Sequence, residues 1–187
     1  DVLGSRGLGD VYKRQALYYQ LQYRTEGAYI MRRTDREIFG EELETILQKG
    51  EYGILSMVGP DGLPYAVPLN YAWKNGAIHL HCAAHTGKKL ECLAHCKDVC
   101  FVVVGDTAVQ PAKFTTLYES VIITGKIHPA EDKEESLRAL IEKYSGEYME
   151  AGMNYIRAAA DQTGVYVITP RHMTGKANRG TKHSKDV

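Results

Sequence analysis

Apolar residues recur along this chain at two different spacings, and the switches between them divide it into elements. After Thr34-Asp35-Arg36-Glu37, which has the spacing of a capping box, Ile38, Phe39, Leu43, Ile46 and Leu47 form a stripe at helical period ending near Gly50, so the pattern predicts a helix. Gly53 to Val58 reads as a strand. Gly59-Pro60-Asp61-Gly62 supplies turn chemistry into a second strand from about Pro64 to Trp73. Asn75-Gly76 is a two-residue hairpin signal, which should send Ala77 to Cys82 back antiparallel to that second strand.

The run from Ile78 to Leu90 changes period in mid-course. Its first part alternates, placing His79 and His81 on one face, whereas Lys88 onward sets Leu90, Leu93 and Ala94 at helical spacing. Thr86-Gly87 lies between. A glycine before a helix lets free backbone N–H groups approach an anion, and Lys88 and Lys89 add positive charge where the helix dipole would otherwise repel it. That conflict points to a bound phosphate; the same pattern also fits an ordinary strand-to-helix turn with two solvated lysines.

Farther on, Val99 to Val104 is a continuous apolar run and a predicted buried strand, followed by an irregular passage through Pro111. A further strand is expected from Leu117 to about His128. Leu137, Leu140 and Ile141 mark an amphipathic helix from Asp132 to Tyr144, stopped by Ser145-Gly146, with a second helix after it. Gly164 to Thr169 alternates as a last strand that Pro170 should end. Strands joined mostly by hairpins, with helices at the connections, predict a mainly β fold with peripheral helices, a six-stranded antiparallel barrel rather than alternating βα units. Pro68 removes a ladder donor from the second strand, so its position must be an edge, a bulge or a place where a ligand meets the backbone.

The 187 residues, 44% hydrophobic, suit one domain, and 23 basic against 23 acidic residues leave no global field for nucleic acid. The expected partner is a small molecule. No apolar run reaches bilayer length and no secretory pattern opens the chain, so the expected location is cytoplasmic, with no membrane partner and the four cysteines reduced. Residues 1–30 are expected to be a non-native or disordered extension, because Ser5 to Gln15 resembles a translated sequencing adapter and Met31 precedes the first convincing element. The domain is then placed at 31–176 and a polar tail at 177–187.

Five segments, taken in order, carry a family resemblance. They are Pro64-Tyr65-Ala66-Val67-Pro68-Leu69-Asn70-Tyr71, Leu80-His81-Cys82-Ala83, Gly87-Lys88-Lys89-Leu90, Tyr118-Glu119-Ser120-Val121-Ile122 with Gly125-Lys126, and His172-Met173-Thr174-Gly175-Lys176. Together they resemble the FMN-binding split-barrel proteins related to pyridoxamine 5′-phosphate oxidase, and most closely the nitroimidazole-reductase (Nim, nitroimidazole-resistance) branch. The resemblance implies a split β-barrel homodimer with FMN in clefts at the subunit interface. Tyr65, Val67, Pro68, Leu69 and Asn70 would run beside the isoalloxazine, Lys88 and Lys89 would meet the phosphate, His81 and Cys82 would lie by the ribityl chain or ring, and Ser120 would add a polar contact. His81 is the implied catalytic, proton-handling residue, since a neutral imidazole titrates near working pH. Arg171-His172-Met173 lacks the Arg- and His-bearing substrate segment of the oxidase itself, so true oxidase activity is not expected.

Other constellations are weaker. Cys92, Cys96 and Cys100 with His95 lack the paired spacings of zinc or iron–sulfur sites, and no metal site is expected. The nearby lysines are expected to lower the pKa of Cys82. His79 has the ordinary reading of a strand histidine held by a backbone carbonyl. Tyr65, Tyr71 and Tyr118 suit either a flavin or the core, and nothing supports hydrolase or nucleotide-triphosphatase chemistry. The expected function is therefore an FMN-dependent oxidoreductase that passes electrons from an external donor to a small nitroaromatic or similar oxidised molecule. The alternatives are a non-catalytic flavin- or haem-binding carrier or sensor, a deazaflavin in place of FMN, and a cofactor-free dimeric scaffold.

Overall fold

The computed structural model describes residues 31–180. The expected extension at 1–30 and the end of the polar tail, 181–187, lie outside the described residues.

The chain enters differently from its capping-box reading. Thr34–Arg36 is a single 3₁₀ turn, Glu37–Ile38 is a short strand (β1), and the helix (α1) spans Glu41–Lys49. The physical reason is that Thr34 caps nothing, while Glu37 and Ile38 pair with Lys176 and Gly175. Gly40, at φ 58°, then turns the chain into α1.

The strands that follow are β2 (Gly53–Val58), β3 (Pro64–Leu69), β4 (Tyr71–Lys74) and β5 (Ala77–Ala83). After helix α2 (Lys88–His95) come β6 (Asp98–Gln110) and β7 (Thr115–Pro129). Two helices, α3 (Lys133–Ser145) and α4 (Met149–Ala159), lead to β8 (Thr163–Asn178). All pairing is antiparallel, in an 8-stranded sheet ordered β3-β2-β6-β7-β8-β5-β4, with β1 attached to β8.

That order settles the architecture. β3 and β4 stand at opposite ends of the sheet, yet only Asn70 separates them in the chain. The sheet must therefore curl until its ends meet, leaving a seam without ladder hydrogen bonds: a split barrel. The single strand predicted from Pro64 to Trp73 is really these two, and with β1 the expected six strands become eight. The break has a local cause. Asn70 Nδ2 donates to the Glu51 carbonyl at 3.3 Å, and Tyr71 N–H donates to the Tyr144 hydroxyl at 3.0 Å instead of to a neighbouring strand.

Two further breaks do not occur. β6 continues through the passage expected to be irregular, with a register shift between Val104 and Thr107 where Asp106 N–H donates to Glu119 Oε1 at 3.4 Å. Pro170 does not end the last strand: Gly125 pairs with Pro170 and Thr124 with His172, so Arg171 bulges out and the ladder resumes to Asn178, two residues beyond the expected edge of the domain. A bulge is where a strand proline is tolerated. Gly125 is required opposite, because a Cβ there would collide with the Thr169 carbonyl.

Leu55, Phe101, Val103, Val121, Ile123 and Ile168 fill the barrel, and Leu43, Ile46 and Leu47 of α1 join the same core. Tyr71 meets Phe101 edge-on at 5.2 Å and donates its hydroxyl proton to the Leu47 carbonyl at 2.7 Å. Outside the barrel, Leu137, Ala139 and Leu140 of α3 cover Ala72 and Val165. Asp132 caps α3 by accepting from Glu135 N–H at 2.9 Å. No described helix is long and apolar enough to cross a membrane.

Candidate functional site

At the seam the backbone of β3 is paired on one side only, with β2. Pro64 and Pro68 have no N–H, so the ladder bonds to β2 must be made by Tyr65, Val67 and Leu69. The alternate residues then point their backbone groups away from the sheet: the carbonyls of Pro64, Ala66 and Pro68 and the lone N–H of Ala66. Of the edge, bulge or ligand-facing position that Pro68 requires, the sheet order shows an edge, and it offers three acceptors and one donor in a row. Side chains follow the same parity, with Tyr65, Val67 and Leu69 partly buried against the core and Pro68 exposed.

The turn after β5 brings the start of α2 to this edge. Gly87, at φ 124°, precedes the helix, and its carbonyl accepts from Leu90 N–H at 2.9 Å, so Lys88 and Lys89 occupy the first turn together with Glu91, and neither lysine is ion-paired among the described residues. Lys88 Nζ lies 5.3 Å from the centre of the Tyr65 ring. Lys89 shares a small hollow with Leu69, His81, Cys82 and Tyr166. The two lysines thus reach different points along β3. The expected set of Tyr65, Leu69, His81, Cys82, Lys88 and Lys89 comes together across the seam, with Val67 between the two tyrosine- and leucine-marked ends.

Electrostatics separate the side chains of this cluster. Burial raises the Cys82 thiol above its usual pKa, and the opposing pull of Lys89 is the lesser effect. The lowering expected from the nearby lysines is therefore outweighed. Burial, and after it Lys89, push His81 below the usual histidine value, so its imidazole is neutral at pH 7. Burial, reinforced by Cys82, raises the Tyr166 phenol.

His79 and His81 do share a face of β5, and both turn toward the helices. His79 is buried, with Nδ1 2.9 Å from Ser136 Oγ and Nε2 3.3 Å from the Lys74 carbonyl. Ser136 Oγ also lies 3.0 Å from the Asp132 carbonyl, so its one proton serves either that oxygen or Nδ1; a neutral ring has both nitrogens satisfied when the proton goes to Nδ1 and Nε2–H donates to the Lys74 carbonyl, and burial lowers the pKa of the ring. His81 has no hydrogen-bond partner among the described residues; with Asn70 it opens into a cavity of about 560 Å³ beneath α3 and α4.

Ser120 stands apart from the others within one chain. It lies on the outer face of β7 beside Val104 and Lys176, with β6 and β2 between it and β3. The row next to it, Pro68-Ile54-Val102-Ile122-Thr174, crosses five strands, and Ile54, Ile122 and Val104 are 36%, 43% and 50% exposed. This is a broad apolar face on the outside of the barrel.

Three features escaped the sequence. Lys143 of α3 buries its ammonium 3.6 Å from the centre of the Tyr71 ring with no hydrogen-bond partner among the described residues, and burial brings its pKa down to about 8. Tyr144 accepts from Tyr71 N–H and donates to the Glu51 carbonyl at 2.6 Å, fastening α3 to the crossover. On the far side, although desolvation works against it, hydrogen bonds from Arg36 and Lys176 hold the Tyr118 phenol below its usual pKa. Each joins residues dozens of positions apart, which no local pattern signals. Among the described residues no group of His, Cys, Asp or Glu is arranged to hold a metal, and Cys92, Cys96 and Cys100 are free thiols.

Residues 40–177 match the family model described as pyridoxamine 5′-phosphate oxidase. No curated protein matches the chain. Among solved structures, a candidate 5-nitroimidazole antibiotic resistance protein from Bacteroides thetaiotaomicron is 23% identical, covers 75% of this chain and 86% of its own, and superposes with a TM-score of 0.60. A flavocytochrome from Azotobacter vinelandii is 18% identical over 83% of this chain and 75% of its own, with a TM-score of 0.67. An FAD-binding protein from Mesorhizobium loti is 19% identical over 76% of this chain and 97% of its own, with a TM-score of 0.54. At these identities the likeness is one of fold.

Proposed function

Because the chain belongs to the pyridoxamine 5′-phosphate oxidase family, we propose that it is a flavin-dependent oxidoreductase of the nitroimidazole-reductase type, binding FMN in the seam. The observation that carries this reading is the meeting of an unpaired strand edge with two unneutralised lysines at a helix start. A flavin needs both. Its polar ring edge has one N–H donor among several acceptors: one of the carbonyls of Pro64, Ala66 and Pro68 can accept from that N–H, and the N–H of Ala66 can donate to one ring acceptor beside it. Its phosphate needs fixed positive charge, which Lys88, Lys89 and the first-turn amides of α2 supply. Tyr65, Val67 and Leu69 set the apolar floor on the barrel side.

A bound flavin would supply two-electron and one-electron transfer between an external donor and a small oxidised molecule. The residues of the chain bind, orient and exclude water. Neutral His81, at the junction of the hollow and the helix-side cavity, is placed to donate or relay a proton to whatever is reduced there. The apolar outer row supports a homodimer formed on that face, and Ser120 would then contribute to a cleft shared with the partner subunit. Oxidation of pyridoxamine phosphate is not proposed, because Arg171-His172-Met173 lacks the Arg- and His-bearing arrangement of that oxidase's substrate segment.

One observation favours a second reading. The His81 ring has no hydrogen-bond partner among the described residues, and in a carrier or sensor that binds haem its imidazole would hold the iron. Anaerobic reduction of the FMN-loaded protein, followed by addition of 2-methyl-5-nitroimidazole, separates the two. Reoxidation of the flavin by the nitro compound, slowed in His81→Ala, is the expected result; a Soret band on haem addition, lost in His81→Ala, with no flavin reoxidation, overturns it.

A further inference from the structure

The cavity that His81 shares with α3 and α4 has a chemistry of its own. Its volume of about 560 Å³ falls within the range of small-molecule sites. Leu137, Leu140, Ile141 and Ile156 make it largely apolar, and no Asp, Glu, Lys or Arg is among the residues that line it. Tyr148 and Tyr155 stand on its walls 69% and 74% exposed, so most of each ring is unpacked. The helix pair is fixed close together beside it, since a Cβ on Gly152 would come within 2.8 Å of Ile141.

The polar groups that face the cavity are uncharged, and two of them are committed elsewhere. The Tyr144 hydroxyl is committed to the crossover, and the Thr163 hydroxyl donates to the Ala159 carbonyl at 2.9 Å. On the sheet side remain the His81 imidazole and the carbonyl oxygen of Asn70, whose amide nitrogen is already used on Glu51, and on the helix side the neutral hydroxyls of Ser145, Tyr148 and Tyr155. A phosphate or carboxylate entering here would lose its hydration and meet no cation. A flat, uncharged ring would meet aromatic walls on which to stack and one imidazole and one carbonyl with which to hydrogen-bond.

We propose that this cavity is a binding site for a neutral, planar nitrogen heteroaromatic molecule, with Tyr148 and Tyr155 as its specificity-determining side chains and His81 and Asn70 as its polar anchors. That the ligand is the molecule reduced rests on the flavin reading; that it binds here does not.

The test is calorimetric titration of the full chain, without added cofactor, with benzimidazole and with benzoate at neutral pH, alongside an FMN titration. Benzimidazole should bind at one site per chain, and benzoate at least about tenfold more weakly, the factor that about 1.4 kcal/mol represents. Tyr148→Ala with Tyr155→Ala should weaken benzimidazole at least about tenfold, and Ala151→Phe, which fills the cavity from α4, should abolish it, with FMN affinity unchanged in both. Absence of benzimidazole binding, equal binding of benzoate, or indifference to both sets of substitutions overturns the proposal. FMN binding without benzimidazole binding would leave the flavin reading standing and remove the cavity; benzimidazole binding without FMN binding would do the reverse.

Discussion

His79 and His81 lie two residues apart on one face of one strand, and they have opposite fates. Over His79 sits Ser136 of α3, which with the Lys74 carbonyl occupies both ring nitrogens and buries the side chain. Over His81 the helices part, leaving an imidazole without a partner at the edge of a cavity and within the field of Lys89. Residue type, strand position and facing direction are the same. What separates a structural histidine from a functional one here is the element packed above it, which belongs to a distant part of the chain.

The comparison is broken most forcefully by removing each ring in turn. His79→Ala leaves a void under α3 and removes the ring that Ser136 meets, and should lower stability by about 2–3 kcal/mol, read as the shift of the urea midpoint. His81→Ala should change it by less than about 0.5 kcal/mol. Equal losses at the two positions would mean that His81 is a packing residue.

A buried cation beside the same helix sharpens the point. Lys143 is as unpartnered as His81, but it faces the Tyr71 ring and not a cavity. Its folded pKa of about 8 lies below the usual 10.5, so the unfolded chain binds more protons between those values and stability rises with pH across that window. Lys143→Met should therefore be neutral or stabilising by about 1 kcal/mol at pH 7, since the ring attraction offsets part of the desolvation. The gain should shrink as pH approaches 10.5, which thermal melts across the window would show.

The smallest effect is the acid response of the histidines themselves. Both folded pKa values lie below the usual 6.5, so the stability tied to the neutral rings is complete above 6.5 and is lost as pH falls through the folded values. His79→Gln should flatten the decline in melting temperature below pH 6.5 more than His81→Gln does, by a few tenths of a kcal/mol.

Much of the site was legible because its signals are local. Asn75-Gly76 makes the predicted hairpin, pairing Lys74 with Ala77, and the change of period at Gly87 marks the start of α2 with its two lysines. Pro68 announced a strand edge, which the sheet order provides. What was not legible depends on partners far along the chain. The break at Asn70 needs Glu51 and Tyr144, the short strand β1 needs Gly175 and Lys176, and the bulge that lets β8 pass Pro170 needs Gly125. The thiol of Cys82 misled for the same reason: the lysines beside it in sequence are visible, whereas the burial that outweighs them comes from Leu69 and Tyr166 across the hollow.

The seam is where FMN would sit, and a titration of the full chain with FMN, followed by flavin absorbance and fluorescence, tests that directly. That placement predicts saturable binding at one FMN per chain and a loss of affinity of about 100-fold or more in the Lys88→Ala, Lys89→Ala double variant, as two charge-assisted contacts disappear. FMN binding that is absent, or that is unchanged when both lysines are removed, would contradict it.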